Sequence, residues 1–320
     1  MAEVLYLTEE DVASMVDMRT TIEVVEAAFQ QLAAGGASNV PRVRAQAPGV
    51  VLHTMSAAAP YLGLVGWKSY VTTRKGAKFQ AAIFSQSSGE QIALIEADLL
   101  GQLRTGATTG VAAAWMAAPE AAEVGLFGTG KQARTQLAAI AAVRPIKQAF
   151  VYSRTEERRV KFAERMSSEL KIEVAPVDRP QEAAEDLPMV VTATASMEPV
   201  FDGRCLAEGA FVAAVGANWL GRAEIDSHVV RRADNIVCDS VEACRGEAGD
   251  FVDAIEKGIF TWSRAVDLAD VVSGKAVGRG RPESVTLFKS VGLAIEDVAL
   301  AAKIVEKARL AGRGRMISLA

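Results

Sequence analysis

Apolar and polar positions follow two rhythms along the chain, and the change falls near residue 120. Before it, helical and alternating periods mix. EEDVASMV, behind Thr8, is amphipathic at helical spacing. Thr20 and Glu23 have the spacing of a capping box and open a longer helix that ends near Gly35-Gly36. VLHTMSA, GLVGWKSYVTT and FQAAIFS then read as strands, rich in β-branched and aromatic residues. SSGE, residues 87–90, supplies a hairpin turn into QIALIE. This part predicts a small α+β domain with an antiparallel sheet. ADLLGQLRTGATTGVAAAWMAA is alanine-rich and helical, stops before Pro119, and bridges to a second domain.

From Glu123 the rhythm is strand, turn, helix. EVGLFG is a strand, KQARTQLAAIAAV a helix, QAFVYS a strand and EERRVKFAERMSSEL a charged helix. IEVAPV, MVVTATA, AFVAAVGA and NIVCDS continue as short apolar runs. Continuous apolar strands alternating with helices predict a parallel sheet covered on both faces. The tail, SVGLAIEDVALAAKIVEKARLAG, is a long amphipathic helix. Its return to the first domain would make that domain discontinuous. The predicted fold class is α/β, with a doubly wound parallel sheet over 119–295 and an α+β domain over 1–118 plus 296–320.

Composition narrows the function classes. The 320 residues are 50% apolar and 23% charged, with a net charge of -4, which suits a globular protein of two domains. An acidic balance without a Lys/Arg stripe argues against nucleic acid or an anionic membrane as partner. Cys205, Cys238 and Cys244 have no CxxC spacing, and His53 and His228 form no HxxxH, so no metal site is predicted. The N-terminus lacks a basic-then-apolar leader pattern and no apolar run reaches spanning length, so a cytoplasmic protein is expected.

The sequence GLFGTGKQA, residues 125–133, carries the first chemistry. It follows a predicted strand and opens a predicted helix, the arrangement that turns backbone N–H groups and the positive helix end toward a pyrophosphate. Gly128 would make the tight turn, Gly130 would admit the phosphates, and Ala133 would let helix and strand pack closely. A Rossmann dinucleotide site is therefore predicted. The second strand ends in Ser153-Arg154-Thr155, with no acid to accept a ribose 2′-OH. Arg154 could pair with a 2′-phosphate, and Ser153 and Thr155 could donate to it, which favours NADP, with NAD possible.

Three cations of the first domain stand in apolar or small-residue surroundings: Arg44 in VPRVRAQAP, Lys68 in VGWKSYV and Arg104 in QLRTGATTG, where a helix is expected to begin. Isolated cations in such settings need partners. A shared anionic substrate, such as an α-carboxylate, would satisfy them, with Lys68 also available as a proton donor.

RAQAP (44–48), WKSY (67–70), RTGATTG (104–110), GTGKQARTQ (128–136), AVGANWLGRAEID (214–226) and FKSVGLAIED (288–297) resemble, in order and spacing, the ornithine cyclodeaminase/μ-crystallin family. The resemblance spans almost the whole chain. It implies a homodimer built through the first domain, a nicotinamide cofactor on the Rossmann domain, and a small amino-acid or imino-acid substrate. It also implies that Arg44 and Lys68 bind substrate, and that Arg104 contacts the substrate carboxylate or the cofactor. Lys131 and Gln132 would lie over the pyrophosphate, Thr194 and Val215 would line the nicotinamide side, and Ser290 and Val291 would close the site. Arg42 is a rival to Arg44; the distance to Pro48 favours Arg44.

One departure bears on the reaction. Cyclodeaminases of this family carry a catalytic Asp where this chain has Asn218, in Gly216-Ala217-Asn218. Asn can orient a water or an amine but cannot take up or give a proton as an acid does. The expected activity is reduction of a cyclic or acyclic imino acid, or its reverse. The alternatives are ornithine cyclodeamination to proline and ammonia with internally recycled NAD, and a non-catalytic carrier of a small ligand or NADPH. Glu224 and Asp226 are nearby carboxylates expected to cap the next helix rather than to act in catalysis.

Overall fold

The computed structural model describes residues 2–319, which form two compact units. The first, Met1–Thr105 with Gly292–Ala320, begins with strand β1 (Ala2–Leu7) and helices α1 (Glu9–Met15) and α2 (Met18–Ala33). Thr8 and Asp11 form a reciprocal capping box at α1. The cap of α2 is Asp17, not Thr20: the Asp17 carboxylate accepts from Thr20 N at 2.8 Å, so the helix starts three residues earlier than the Thr20/Glu23 pattern predicts. A short carboxylate reaches the third amide of a helix directly, and this one takes the position first.

Five strands follow: β2 (Ser38–Ala47), β3 (Val50–Ala59), β4 (Leu64–Thr73), β5 (Gly76–Ser85) and β6 (Gln91–Glu96), then α3 (Asp98–Met116). Strand β2 is a segment that the periodicity does not reveal. It pairs with β3 through an irregularity between Val40 and Val43, and a bulge breaks the alternation. The β2–β6 pairs are antiparallel, but β1 runs parallel to β6, so the sheet is mixed and not the purely antiparallel one expected.

The second unit, Gly106–Val291, starts inside α3. It comprises β7 (Glu123–Phe127), α4 (Lys131–Val143), β8 (Gln148–Tyr152), α5 (Glu156–Leu170), β9 (Glu173–Pro176), β10 (Met189–Thr192) and β11 (Phe211–Ala214). It continues with α6 (Ser227–Arg232), β12 (Asn235–Cys238), α7 (Val241–Glu247), α8 (Val252–Glu256), β13 (Ala265–Asp267), α9 (Leu268–Val272) and β14 (Thr286–Lys289). The sheet order is β13-β12-β14-β11-β10-β7-β8-β9, and every pairing among the described residues is parallel. From β9 to β11 this is the doubly wound order, reversing at β7. Strands β10, β11 and β14 are buried at every position, which explains their unbroken apolar runs.

Helix α10 (Ala294–Leu310) and strand β15 (Arg315–Leu319) complete the first unit. Strand β15 pairs with β1, giving the order β15-β1-β6-β5-β4-β3-β2. Helix α10 packs on α2 and on β3, β4 and β5. Gly66 permits the close approach: a Cβ there would stand 2.9 Å from Val298 Cγ2. The other sheet face carries Val43, Leu52, Val65 and Trp67, the first three exposed. No helix among the described residues is long and apolar enough to cross a membrane.

Candidate active site

On the second unit, the ends of β7, β8 and β10 surround a groove of about 570 Å³. Its lining includes Gly128, Gly130, Lys131, Gln132, Ser153 and Thr194. Gly128 has φ +106°, and a Cβ there would lie 2.5 Å from Ala193 O, so only glycine fits the turn. Gly130 is the N-cap of α4 and offers no side chain to the first-turn amides, and nothing lies within 4 Å of where its Cβ would stand. Ala133 is fully buried, as close helix–strand packing requires. Gln132 Oε1 is buried with no hydrogen-bond partner. A tight glycine turn, open amides at a helix N-terminus and a groove lined by Lys131 and Arg154 fit a dinucleotide pyrophosphate.

Arg154 and Thr155 are exposed in this groove, and Ser153 Oγ donates to Thr155 O at 3.2 Å. Arg158 adds a second cation that the sequence reading does not single out. Arg159, by contrast, is turned inward, donating to Ser153 O and pairing with Asp178.

Beyond β10 and β11, Glu224 is fully buried and accepts four hydrogen bonds. Its Oε1 takes Thr194 N (2.6 Å) and Thr194 Oγ1 (2.7 Å), and its Oε2 takes Gly216 N (2.6 Å) and Thr192 Oγ1 (3.0 Å). Glu224 therefore does not cap the next helix; Asp226 alone does, accepting from Val229 N at 3.0 Å. Lys289, also fully buried, forms an ion pair with Asp250 at 2.7 Å and donates to Ala217 O at 2.6 Å. Burial and the Asp250 charge raise the Glu224 pKa, while Asp250 and Glu224 hold that of Lys289 above its ordinary value despite desolvation. Val215 N donates to Thr192 O, and Asn218 follows, half-buried, beside Ala217. Ser290 and Val291 are buried; the Ser290 hydroxyl and the Val291 amide both donate to Asp239 Oδ2, at 2.8 and 2.7 Å.

The first unit gathers its cations on one face of its sheet. Lys68 Nζ and Arg104 Nε each lie 3.0 Å from Asp297 Oδ1, and Arg104 Nη1 lies 2.7 Å from Glu296 Oε2. All four side chains are buried. Two of the cations expected to await a substrate anion, Lys68 and Arg104, thus have carboxylate partners of their own, because a buried cation without a counter-charge is too costly. Arg104 sits in the second turn of α3, not at a helix start. Gly101, one turn earlier, makes room: a Cβ there would stand 2.5 Å from Lys68 Nζ. Desolvation and the charges of Arg104 and Arg42 lower the Lys68 pKa to about 8, against the pull of Asp297. Asp297 Oδ2 is buried and accepts no hydrogen bond.

Arg44 pairs in register with His53, His53 with Tyr70, and Tyr70 with Phe79, so these four form a rung beside Lys68. The His53 and Tyr70 rings stack at 4.2 Å, and burial with the nearby Arg44 and Arg42 lowers the His53 pKa to about 4. Arg42 is the cation of this strand whose charge acts on Lys68, and its guanidinium donates to Gly292 O at 3.4 Å. Asp297, Glu296, Glu224, Lys289, Asp250 and Asp239 escape the sequence reading as a set. The one local signal among them is Lys289, a charge inside the otherwise apolar strand TLFK.

Comparison with known proteins fits this architecture. The profile of the ornithine cyclodeaminase/mu-crystallin family matches residues 2–312. The Δ1-pyrroline-2-carboxylate reductase of Bacillus cereus is 36% identical over 231 residues, 72% of this chain and 71% of that protein. The alanine dehydrogenase of Archaeoglobus fulgidus is 31% identical over 312 residues, 96% of this chain and 95% of that protein. The structure of Thermococcus litoralis Δ1-pyrroline-2-carboxylate reductase in complex with NADH and L-proline superposes with a TM-score of 0.93 at 32% identity, covering 98% of this chain and 99% of that one. With residues 2–312 matched, the chain belongs to the ornithine cyclodeaminase/mu-crystallin family.

Proposed function

We infer that the protein is an NAD(P)H-dependent oxidoreductase that reduces the C=N bond of a small imino acid, or runs the reverse amino-acid dehydrogenation. The observation that carries this reading is the buried Lys68–Asp297–Arg104 cluster with Arg42 and Arg44 beside it, in a chain whose other unit holds a dinucleotide groove. The arginines would take the substrate carboxylate through forked hydrogen bonds. Lys68, with a pKa near 8, is charged at neutral pH yet gives up its proton readily. It would protonate the imine nitrogen as that nitrogen becomes an amine, and recover its proton from solvent. A reduced nicotinamide held there would supply the hydride that the imine carbon needs. Gly128, Gly130, Lys131 and Gln132 would hold the pyrophosphate, Thr194, Val215 and Ser290 the nicotinamide side, and Val291 the substrate.

The groove beyond β8 presents Ser153, Arg154, Thr155 and Arg158 with no acid, which favours the 2′-phosphate of NADP over the free hydroxyl of NAD. Asn218 supports imine reduction over cyclodeamination, which needs an acid that gives and takes a proton at that position. The open sheet face with Val43, Leu52, Val65 and Trp67 is an apolar surface suited to a second copy of the chain, so the protein would work as a homodimer. The three free cysteines, two of them buried, suit the reducing cytoplasm.

The reading is tested by following NADPH absorbance with pyrroline-2-carboxylate, piperideine-2-carboxylate and oxo acid–amine pairs. Oxidation with at least one of them supports it. Ammonia and proline formed from ornithine with no net cofactor change would instead make the protein a cyclodeaminase, and tight ligand binding without turnover a carrier.

A further inference from the structure

Glu224 is a carboxylate enclosed by protein, and each of its oxygens is used twice. Its four donors come from two places: Thr192 and Thr194 at the end of β10, and Gly216 just after β11. Gly216 is the only residue type that allows this approach, since a Cβ there would stand 2.5 Å from Glu224 Oε1 and 2.6 Å from Thr194 N. A second tie acts on the next peptide, where Lys289 Nζ donates to Ala217 O. Asp250 closes the network, with Oδ1 accepting Glu224 N at 2.6 Å and Oδ2 paired with Lys289. The two loops after β10 and β11 are thereby locked to one another by charged groups that no water reaches. Loops without such ties move independently.

A dinucleotide on a doubly wound sheet straddles the point of order reversal, here β7. Its adenine half lies over β8, toward Ser153 and Arg154. Its nicotinamide half lies toward β10 and β11, where the Glu224 network sits. We propose that Glu224 is a positioning residue that fixes the loops bearing Thr194 and Gly216-Ala217-Asn218, and so sets the binding of the nicotinamide half of the cofactor without acting on the adenine half. This rests on the dinucleotide reading above. The carboxylate touches neither cofactor nor substrate; it acts through the two loops. Glutamine cannot replace it. One of its two ends would be an NH2 group facing N–H or O–H donors.

The test is calorimetric titration of the full-length protein with NADH or NADPH, whichever binds tighter, and with the fragment lacking only nicotinamide, ADP-ribose or its 2′-phosphate. Glu224→Gln is expected to weaken the whole cofactor about tenfold and to leave the fragment within about twofold. Thr192→Val is an isosteric change that removes one of the four donors and should move the cofactor the same way by about threefold. If Glu224→Gln does not fold, Thr192→Val decides alone. Parallel loss for cofactor and fragment, or no loss for either, overturns the proposal while the dinucleotide reading stands. Failure of the wild type to bind either cofactor overturns both.

Discussion

Lys68 Nζ lies 3.0 Å from Asp297 Oδ1, joining the middle of β4 to the first turn of α10 across 229 positions of sequence. The same oxygen accepts from Arg104, so one carboxylate serves two buried cations. Asparagine at this position would keep the shape and remove the charge. Breaking a buried pair from one side leaves a cation uncompensated, which costs about 3–5 kcal/mol. Asp297→Asn is therefore expected to lower the free energy of unfolding by about that amount in urea. An unfolding midpoint equal to the wild type's would contradict the assignment.

Lys68 also sets a pH dependence. Its pKa is lowered from 10.5 to about 8, first by desolvation and then by Arg104. As the proton donor it must start charged, so kcat/KM for imine reduction should fall as pH rises through about 8. Lys68→Arg stays charged and should remove that limb from whatever activity remains. The linkage has the opposite sign. The folded state disfavours charged Lys68, so the unfolded chain binds more protons between about 8 and 10.5, and stability rises with pH across that window. A profile flat through pH 8 would remove Lys68 from the proton step.

Gly101 faces the Lys68 ammonium, and an added Cβ would stand 2.5 Å from Nζ. The flexible tip of the lysine must move, not the helix backbone. Gly101→Ala should keep the folded structure and lower kcat/KM by about tenfold or more, through displacement of a positioned group. Steady-state kinetics beside a thermal melt will show it; wild-type kinetics in a stably folded variant would mean that the position of Lys68 does not matter.

Cofactor choice is predicted to follow the residues after β8. Arg154→Ala should weaken NADPH by about tenfold and NADH little, as expected for one charge-assisted pair to phosphate. Ser153→Asp should reverse the preference by placing a carboxylate where a ribose 2′-OH is recognised. Fluorescence titration with both cofactors separates the outcomes. Tighter NADH binding by the wild type, unmoved by Arg154→Ala, would assign the groove to NAD.

Much of the second unit is legible in the sequence because its signals are local. A strand, a short turn and a helix lie within about twenty residues of one another in β7–α4 and in β8–α5. The first unit is less so. In β2, Pro41 and the bulge near it erase the alternation, and β1 finds its parallel partner some 90 residues on. At the site, Lys68 and Arg104 stand out because each is a cation in apolar surroundings. Their partners do not: Glu296 and Asp297 sit in the first turn of α10, where acids are ordinary helix-terminal residues. Glu224, Asp250 and Lys289 are separated in sequence and meet only through the packing of β10, β11 and β14. Charge pairing at long range leaves no periodicity to read.

The central claim is hydride delivery to the α-carbon of an imino acid. It is tested most directly by incubating the protein with NADPH carrying deuterium at both C4 positions and pyrroline-2-carboxylate and examining the product by mass spectrometry and NMR. The account predicts proline carrying one deuterium at Cα. Proline without the label, or no reduced amino-acid product from this or any other imine of the panel, would contradict it.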